Sequence, residues 1–371
     1  MTGRRDVRSP ALGLAAPLLA IAFAALLASF VLIGAGDPVL GTFQLLLDYG
    51  QQPRSIALVL NAATTYYLSA VAVAIGFKMN LFNIGVDGQY RLAAMTAAYV
   101  GGTLSLPAGL HQAVIILTAV AVGAMWAGLA GLLKATRGVS EVISTIMLNA
   151  IATGLVAFFL RKVAVPVQGS NNIGTQPIPE SGRVGGLPLV PDSSLEVFGL
   201  LPLAVLVGVA YWLLLGRTRF GFDLRATGRS QSAAVASGVD VKRMTVTTML
   251  LSGAVAGLVG MPQLLGASYS YSLDFPAGLG FTGIAIALLG RNHPVGIAFG
   301  ALLWAYLDVS SVILDIEGVS REIVTIMQGT IVLSVVVAYE LVRRYRLRDE
   351  QRRVARELDQ QRAADAEGVP A

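Results

Sequence analysis

Residues 78–89 place a carboxylate and several amide groups between two long apolar runs, in the order Lys-Met-Asn-Leu-Phe-Asn-Ile-Gly-Val-Asp-Gly-Gln. Such groups are costly beside hydrocarbon unless they face protein or water, so they indicate a functional site. The core of the segment, Gly-Val-Asp-Gly at 85–88, has a distant counterpart in Gly-Phe-Thr-Gly at 280–283. Helices interrupted at such glycines expose backbone N–H and C=O groups that can bind a polar solute, provided that they line a cavity.

The polar side chains of these two segments are candidate pathway residues: Asn80, Asn83, Asp87 and Gln89 in the first segment and Thr282 in the second. Asp87 has the strongest claim, because a carboxylate within a span needs a partner. Arg91 lies one helical turn away and could be that partner, in which case the pair is structural. The two asparagines could instead cap the helix that follows them.

The composition is that of an integral membrane protein. Of 371 residues, 55% are hydrophobic and 13% are charged, and the mean hydropathy is +0.68. A soluble domain carries about 25% charged residues.

The absence of cysteine excludes disulfides and thiolate metal sites. His111 and His293 are far apart in the sequence and predict no metal site. The net charge of +5 is attributed to basic cytoplasmic loops, not to nucleic-acid binding.

A membrane-spanning helix needs about 20 mostly apolar residues. The first apolar run is longer than the roughly 7–15 residues of a signal peptide, so it is predicted to be a span. The third and eighth spans contain the glycine-marked segments, and the eighth is short. The sequence predicts ten spans, at 11–34, 55–76, 84–104, 112–133, 141–160, 196–215, 244–265, 276–290, 294–314 and 323–342.

The basic residues orient these spans. With the N-terminus inside, 21 Lys and Arg residues lie on the cytoplasmic side and five lie outside, as the positive-inside rule requires. Both termini are therefore predicted to be cytoplasmic. Residues 162–194, rich in Gly, Pro, Ser and Asn, are predicted to form an outside loop. The membrane domain is predicted to cover residues 1–342, and residues 343–371 a charged tail, either a solvated helix or a frayed segment.

The chain also contains an internal repeat. Gly-Val-Ser-Glu-Val-Ile-Ser-Thr-Ile-Met at 138–147 and Gly-Val-Ser-Arg-Glu-Ile-Val-Thr-Ile-Met at 318–327 match at seven of ten positions. The glycine pairs and the two histidines recur at a similar offset, although apolar segments can resemble each other by chance. The copies enter the membrane from opposite sides, which is typical of transporters with inverted repeats. The sequence thus predicts an all-α membrane protein of about ten helices, with repeat halves at 11–161 and 196–342.

The basic loop at 217–243 joins the sixth and seventh predicted spans. Ser230 can cap a short helix through Ala233, Ala234 and Ala236, and Gly238 can end it. A helix of small residues flanked by arginines could dock in a groove of a partner protein. Ordinary enrichment of basic residues in cytoplasmic loops explains the composition equally well.

Four motifs resemble the permease subunits of bacterial ABC importers for branched-chain amino acids, simple sugars and nucleosides. They are Arg-Ala-Thr-Gly-Arg-Ser-Gln-Ser-Ala-Ala-Val-Ala-Ser-Gly-Val at 225–239, Leu-Ser-Gly-Ala-Val-Ala-Gly-Leu-Val-Gly at 251–260, Ile-Ala-Ile-Ala-Leu-Leu-Gly-Arg-Asn-His-Pro-Val-Gly at 284–296, and Glu-Val-Ile-Ser-Thr-Ile-Met-Leu-Asn at 141–149. Residues 80–89 resemble the nucleoside-uptake branch, whose usual form has Glu where this chain has Asp87. The resemblance covers roughly residues 55–340.

The glycine-marked segments and the matching motifs together give a set of candidate functional residues. The pathway would be lined by Asn80, Phe82, Asn83, Gly85, Asp87, Gly88, Gln89, Asn149, Gly280, Thr282 and Gly283. The 217–243 loop resembles a coupling helix that contacts the ATPase, and its candidate coupling residues are Arg225, Ala226, Gly228, Ser230, Ala233, Ala234 and Gly238.

The resemblance also implies partners in the bacterial cytoplasmic membrane, where lipid surrounds the spans. These are an ATP-binding subunit, a second related permease that makes a heterodimer, and a lipid-anchored extracellular solute-binding protein. The chain contains no Gly-x-x-x-x-Gly-Lys-[Ser/Thr] phosphate loop and no hydrolase motif, so it is predicted to be no enzyme and to bind no cofactor, with ATP used by the partner.

The sequence leaves two alternatives open. The solute could be a simple sugar or a branched-chain amino acid instead of a nucleoside. The chain could also be a self-sufficient secondary transporter, which an inverted repeat fits equally well.

Overall fold

The computed structural model describes residues 8–167 and 171–338, together with positions 340, 341, 344, 348 and 351. The described chain is mostly helical. The predicted tail at 343–371 lies, apart from three of these positions, outside the described residues. In chain order the helices are α1 (Arg8–Ala35), α2 (Val39–Gly50), α3 (Pro53–Lys78), α4 (Val86–Thr103), α5 (Leu110–Arg137), α6 (Glu141–Val163), α7 (Leu201–Arg217), α8 (Arg219–Arg229), α9 (Gln231–Ala236), α10 (Val241–Leu258), α11 (Met261–Gln263), α12 (Leu279–Leu289), α13 (Pro294–Ser310), α14 (Val312–Ile316) and α15 (Glu322–Ala338).

Five helical segments of the described chain are long and apolar enough to cross a membrane, namely Pro53–Lys78, Leu110–Arg137, Glu141–Val163, Val241–Ser268 and Pro294–Ile316. A sixth is added if α7 and α8, which are bent by 72°, count as one span. Helix α12 has 11 residues, or about 16 Å at 1.5 Å per residue, about half of a bilayer core. The eighth predicted span is therefore short, as expected.

The chain divides into two compact units, residues 43–318 and residues 1–42 with 319–371. The smaller unit contains α1 and α15. The larger unit contains α3 to α14 and all the side chains of the candidate site. Within the larger unit, α3 is central, because α7, α10, α12 and α13 all pack against it.

Small residues allow α5 and α10 to cross closely. A Cβ added to Gly123 would overlap the backbone of Gly253 and come within 2.9 Å of the Gly257 Cα atom. One added to Gly257 would overlap the backbone of Ala119. Membrane helices commonly associate through such small-residue contacts, since lipid removes the hydrophobic driving force between them. This crossing fixes α10 beside the start of α4.

The described part of the predicted outside loop, residues 162–167 and 171–194, is largely irregular and contains a small two-stranded antiparallel ladder, β1 (Val165–Pro166) and β2 (Ile173–Gly174). A fully buried histidine anchors this loop to the helices. His111 hydrogen-bonds the Ser181 hydroxyl at 2.9 Å and the Gly101 carbonyl at 3.0 Å. Both ring nitrogens of His111 are thus occupied by structural contacts.

Candidate functional site

The two glycine-marked segments meet in space. Helix α3 ends at Lys78, and a turn that includes Asn80 in the left-handed region (φ +59°) leads to the start of α4. Gly85 is the N-terminal cap residue of α4. Helix α12 begins at Leu279, and the backbone N–H of Gly280 faces the Asp87 carboxylate. The N-terminus of one interrupted helix therefore lies against the first turn of the other.

One face of this junction is a closed hydrogen-bond network. The Asn83 amide nitrogen donates to Gln89 Oε1 at 3.0 Å and to Ser252 Oγ at 2.9 Å. Asn83 Oδ1 accepts from Gln89 Nε2 at 2.8 Å and from the Gly85 N–H at 3.1 Å. Ser252 donates in turn to the Ala72 carbonyl at 2.7 Å. Asn83, Gln89 and Ser252 are all at most 1% exposed, so this network holds α4 to α3 and α10.

Asn149 ties α6 to the same turn. Its side chain donates to the Ile84 carbonyl at 2.9 Å and accepts from the Gly88 N–H at 2.9 Å. These are two backbone groups at the start of α4 that its own helix does not pair. The amide of Asn149 thus acts as a bridge at the beginning of α4.

The opposite face of α4 carries a loosely paired carboxylate and guanidinium. Asp87 Oδ1 accepts from the Gly280 N–H at 3.4 Å, and Asp87 Oδ2 lies 3.9 Å from Arg91 Nη1. Both distances exceed the 2.7–2.9 Å of a good charge-assisted hydrogen bond. The side chains of Arg91 and Asp87 are 22% and 11% exposed. This pair can therefore exchange partners more easily than the Asn83 network can.

Arg91 has further contacts around it. Its Nη1 donates to Thr153 Oγ1 at 3.3 Å, and its guanidinium interacts with Tyr271. The ring of Tyr271 stacks on Phe275 with centroids 4.7 Å apart. The buried Nε of Arg91 finds no hydrogen-bond partner among the residues that the structure describes. A guanidinium, a carboxylate and stacked aromatic rings here share one face.

The glycines of both segments are required by close packing. A Cβ on Gly280 would overlap the Asp87 backbone, and one on Gly283 would overlap Ser69 on α3. A Cβ on Gly88 would lie 2.8 Å from Asn149 Oδ1, and one on Gly85 would lie 2.6 Å from Gln89 Nε2. These approaches are closer than real Cβ atoms allow, so the glycines permit the junction to form.

Three candidate pathway residues lie apart from the junction. Asn80 is exposed, and Phe82, which is 44% exposed, packs against Phe77 with ring centroids 4.8 Å apart. The Thr282 hydroxyl bonds the Gly278 carbonyl of its own helix at 3.5 Å. Sequence reasoning, in contrast, missed Ser252, Thr153 and Tyr271. Ser252 lies within the 251–260 motif, but nothing in its local sequence shows that it reaches Asn83.

The 217–243 loop folds into α8 and α9. Thr218 caps α8, and Ser230 caps α9 by accepting from the Ala233 N–H at 3.3 Å. Gly238 ends α9 in the left-handed region at φ +81°. The predicted short helix and both of its ends are therefore confirmed.

This loop contacts the base of the glycine-marked turn. A Cβ on Gly228 would lie 2.7 Å from the Lys78 carbonyl oxygen and 2.9 Å from the Met79 Cα atom. Arg225 is close enough to Lys78 for the two cations to repel each other. A displacement of α8 would therefore reach the turn that carries Asn80 to Gly85 directly.

The outer surface of the loop is apolar and basic. Phe222 and Val235 are 64% and 61% exposed, and Ala233 is also exposed. Ala234, by contrast, is 2% exposed and packs inside the chain. The two alanines that sequence reasoning grouped together thus have different surroundings. The exposed Phe222 and Val235 were missed, although large apolar residues between arginines are a visible signal.

Several helices long and apolar enough to cross a membrane, with polar groups buried among them, are those of a multi-pass membrane protein. The model of one family, described as the permease component of branched-chain amino acid transport systems, matches residues 55–336. The chain belongs to this family.

Three curated relatives are similar to this chain. The guanosine ABC transporter permease of Bacillus subtilis is 38% identical, over 75% of this chain and 80% of the relative. The glucose ABC transporter permease of Haloferax volcanii is 33% identical, over 78% of this chain and 77% of the relative. The nucleoside ABC transporter permease of Lactococcus lactis is 30% identical, over 87% of this chain and 90% of the relative.

Proposed function

We propose that this chain is the permease subunit of an ATP-driven importer and forms the translocation pathway for a nucleoside. The observation that carries the proposal is the 38% identity to a guanosine permease over 80% of that relative's length. A second relative that is named for nucleosides supports it across 87% of this chain. The glucose permease at 33% identity keeps a simple sugar as the second candidate solute.

The proposed partners follow from this assignment. A separate subunit binds and hydrolyses ATP, so this chain needs no cofactor of its own. A second related permease completes a heterodimer, and a lipid-anchored extracellular protein delivers the solute. The assembly lies in the bacterial cytoplasmic membrane, with both termini and the α8–α9 loop on the cytoplasmic side, as the distribution of basic residues favours.

The ten-span topology with an inverted repeat is part of the proposal. It is supported by the packing within residues 43–318, where α4 and α5 pack on α10 while α12 and α13 pack on α3. The helix that begins at each glycine-marked segment, together with the next long helix, thus packs on a long helix of the other half: α4 and α5 on α10, and α12 and α13 on α3. Related halves that face opposite ways can rock about a site near the midplane.

In the proposed mechanism the Asp87–Arg91 face meets the solute, and the Asn83 network is the scaffold. A nucleoside offers ribose hydroxyls, which a carboxylate can accept from, and a base, which can stack on an aromatic ring. The loose distances of 3.4 and 3.9 Å around Asp87 leave it able to change partners during transport.

Coupling to ATP is proposed to run through the α8–α9 loop. Closure of the ATPase would push this loop, and the contact of Gly228 with Lys78 and Met79 would pass the displacement to the start of α4. Arg225, Ala226, Gly228, Ser230, Ala233, Ala234 and Gly238 are the proposed coupling residues. Because Ala234 is buried, a substitution there tests folding, so the exposed Ala233 is the informative position.

The coupling role is tested by Ala233→Glu in the complete transporter. We expect ATP hydrolysis to continue while nucleoside uptake falls at least about tenfold, because a carboxylate would disturb an apolar docking surface. Gln231→Glu, also exposed on α9, is a control for added charge outside the named coupling residues and should leave uptake unchanged. Unchanged uptake by the Ala233→Glu transporter would contradict the coupling role.

Reconstitution tests the proposal as a whole. Vesicles that contain this chain, its permease partner and the ATPase should take up guanosine on addition of ATP, and vesicles with this chain alone should not. Uptake by the lone chain under an ion gradient would instead identify a secondary transporter. Binding assays on the solute-binding protein with adenosine, guanosine, ribose, glucose and leucine would identify the solute.

A further inference from the structure

A groove of about 580 Å³ opens between α3, α7 and α13, away from the Asp87 junction. Its walls are almost wholly apolar, and Val205, Val295 and Phe299 at its mouth are more than half exposed, at 57%, 57% and 70%. An apolar, open cavity in a membrane protein is accessible to the hydrocarbon chains of lipid.

The length of the groove corresponds to one leaflet. Its lining positions on α7 run from Leu201 to Trp212, which is about 16 Å at 1.5 Å per residue. The hydrocarbon core of a bilayer is about 30 Å thick, so one leaflet is about 15 Å. An acyl chain of one leaflet can therefore extend along the whole length of the groove.

One end of the groove is aromatic and basic. Trp212 lines this end, and the guanidinium of Arg217 lies over its ring, 5.0 Å from the centroid. His293 lines the groove at the start of α13. Residues 201–229 contain four arginines and one acidic residue, Asp223. Tryptophan and arginine at the end of an apolar surface are typical of the level of lipid head groups.

We propose that this groove binds an anionic phospholipid of the cytoplasmic leaflet. One acyl chain occupies the space between α3, α7 and α13, and the phosphate lies against Arg217 at the junction of α7 and α8. The leaflet rests on the orientation proposed above. Since Arg217 adjoins α8, the lipid would support the helix that contacts the glycine-marked turn.

Quenching of Trp212 fluorescence tests the proposal in the full-length chain. The protein has three tryptophans, and Trp126→Phe with Trp304→Phe leaves Trp212 as the only fluorophore. The variant is reconstituted in vesicles of phosphatidylcholine that contain brominated phosphatidylglycerol or brominated phosphatidylcholine. We expect phosphatidylglycerol to be preferred roughly fivefold, the factor that corresponds to about 1 kcal/mol for one arginine near an anionic lipid. Equal quenching by both lipids would overturn the proposal.

Matched variants separate a specific site from general attraction. Arg217→Gln should abolish the fivefold preference, whereas Arg219→Gln, two residues further on, should retain it. An equal loss in both variants would indicate surface charge alone and would contradict the site. Val205→Phe should reduce quenching by either lipid, while Leu206→Phe, on an exposed residue that does not line the groove, should not.

Native mass spectrometry of the unsubstituted chain provides a second readout that does not depend on the tryptophan variants. In detergent with equal amounts of the two lipids, retained phosphatidylglycerol should exceed phosphatidylcholine, and Arg217→Gln should remove the excess. Equal retention of the two lipids would count against the site. Neither assay uses a nucleoside or an ATPase, so its result is independent of the proposed transport function.

Discussion

The two faces of the first turns of α4 differ in how their polar groups are paired. On one face, Asn83 and Gln89 make hydrogen bonds of 2.8–3.1 Å and are almost completely buried. On the other face, Asp87 has contacts at 3.4 and 3.9 Å, and Arg91 keeps a buried Nε without a partner among the described residues. A helical rotation of about 100° per residue places Asp87 and Gln89 on opposite sides of the helix.

This difference separates scaffold from candidate transport residues. A buried amide network is stable only when every member is satisfied, so it resists rearrangement. Charged groups with long contacts and partial exposure lose less when a solute replaces a partner. The same polar segment can therefore fix α4 through one face and respond to a solute through the other.

The largest expected effect on stability follows from removal of Asn83. Asn83→Ala leaves the Gln89 side-chain amide and the Gly85 N–H without these partners and removes one of the two hydrogen bonds of Ser252, so we expect a loss of about 2 to 4 kcal/mol. The measurement is thermal unfolding of the purified chain, followed by size-exclusion chromatography. Asn80→Gly is the control, because Asn80 is exposed and its φ of +59° suits glycine. Equal stability of the two variants would refute the scaffold role.

A smaller loss is expected where the two glycine-marked segments touch. Gly280→Ala introduces a methyl group that overlaps the Asp87 backbone, and overpacking of this kind costs about 1–3 kcal/mol. Gly154→Ala on α6 is the matched control, since a Cβ there has no described atom within 4 Å. The control should be neutral or slightly stabilising. Unchanged thermal stability of the Gly280→Ala variant would show that the two glycine-marked segments are not in close contact in the resting protein.

The smallest effect on stability is expected on the face of α4 that carries Asp87 and Arg91. Asp87→Asn should cost no more than about 1 kcal/mol, because the amide oxygen can still accept from the Gly280 N–H and the ion pair that is lost is 3.9 Å long. Nucleoside uptake should nevertheless fall at least about tenfold, since hydrogen bonds to charged groups contribute about 1.5–3 kcal/mol. Uptake assays and thermal unfolding on the same preparation separate these effects. A loss of thermal stability as large as that of Asn83→Ala would show that the Asp87–Arg91 pair is structural.

Local sequence was sufficient for features that depend on neighbouring residues. The α9 helix follows from Ser230 as a cap and Gly238 as an end, and the short α12 follows from the length of its apolar run. The different pairing of polar groups on the two faces of α4 could not be predicted, because Asn83 hydrogen-bonds Ser252, which is 169 residues away in the sequence. Composition likewise could not distinguish Ala233 from Ala234, whose burial is decided by packing.

The central claim, that solute reaches the Asp87–Arg91 face and not the Asn83 face, can be tested by thiol labelling. This chain has no cysteine, so a single introduced thiol is the only one in this chain, and labelling is read on this subunit after the subunits are separated. Thr153→Cys reports on the Arg91 side and Ser252→Cys on the Asn83 side. In the assembled transporter, a small methanethiosulfonate reagent should label Thr153→Cys, guanosine should slow that reaction, and Ser252→Cys should stay unlabelled. Labelling of Ser252→Cys with protection by guanosine, and none at Thr153→Cys, would contradict the claim.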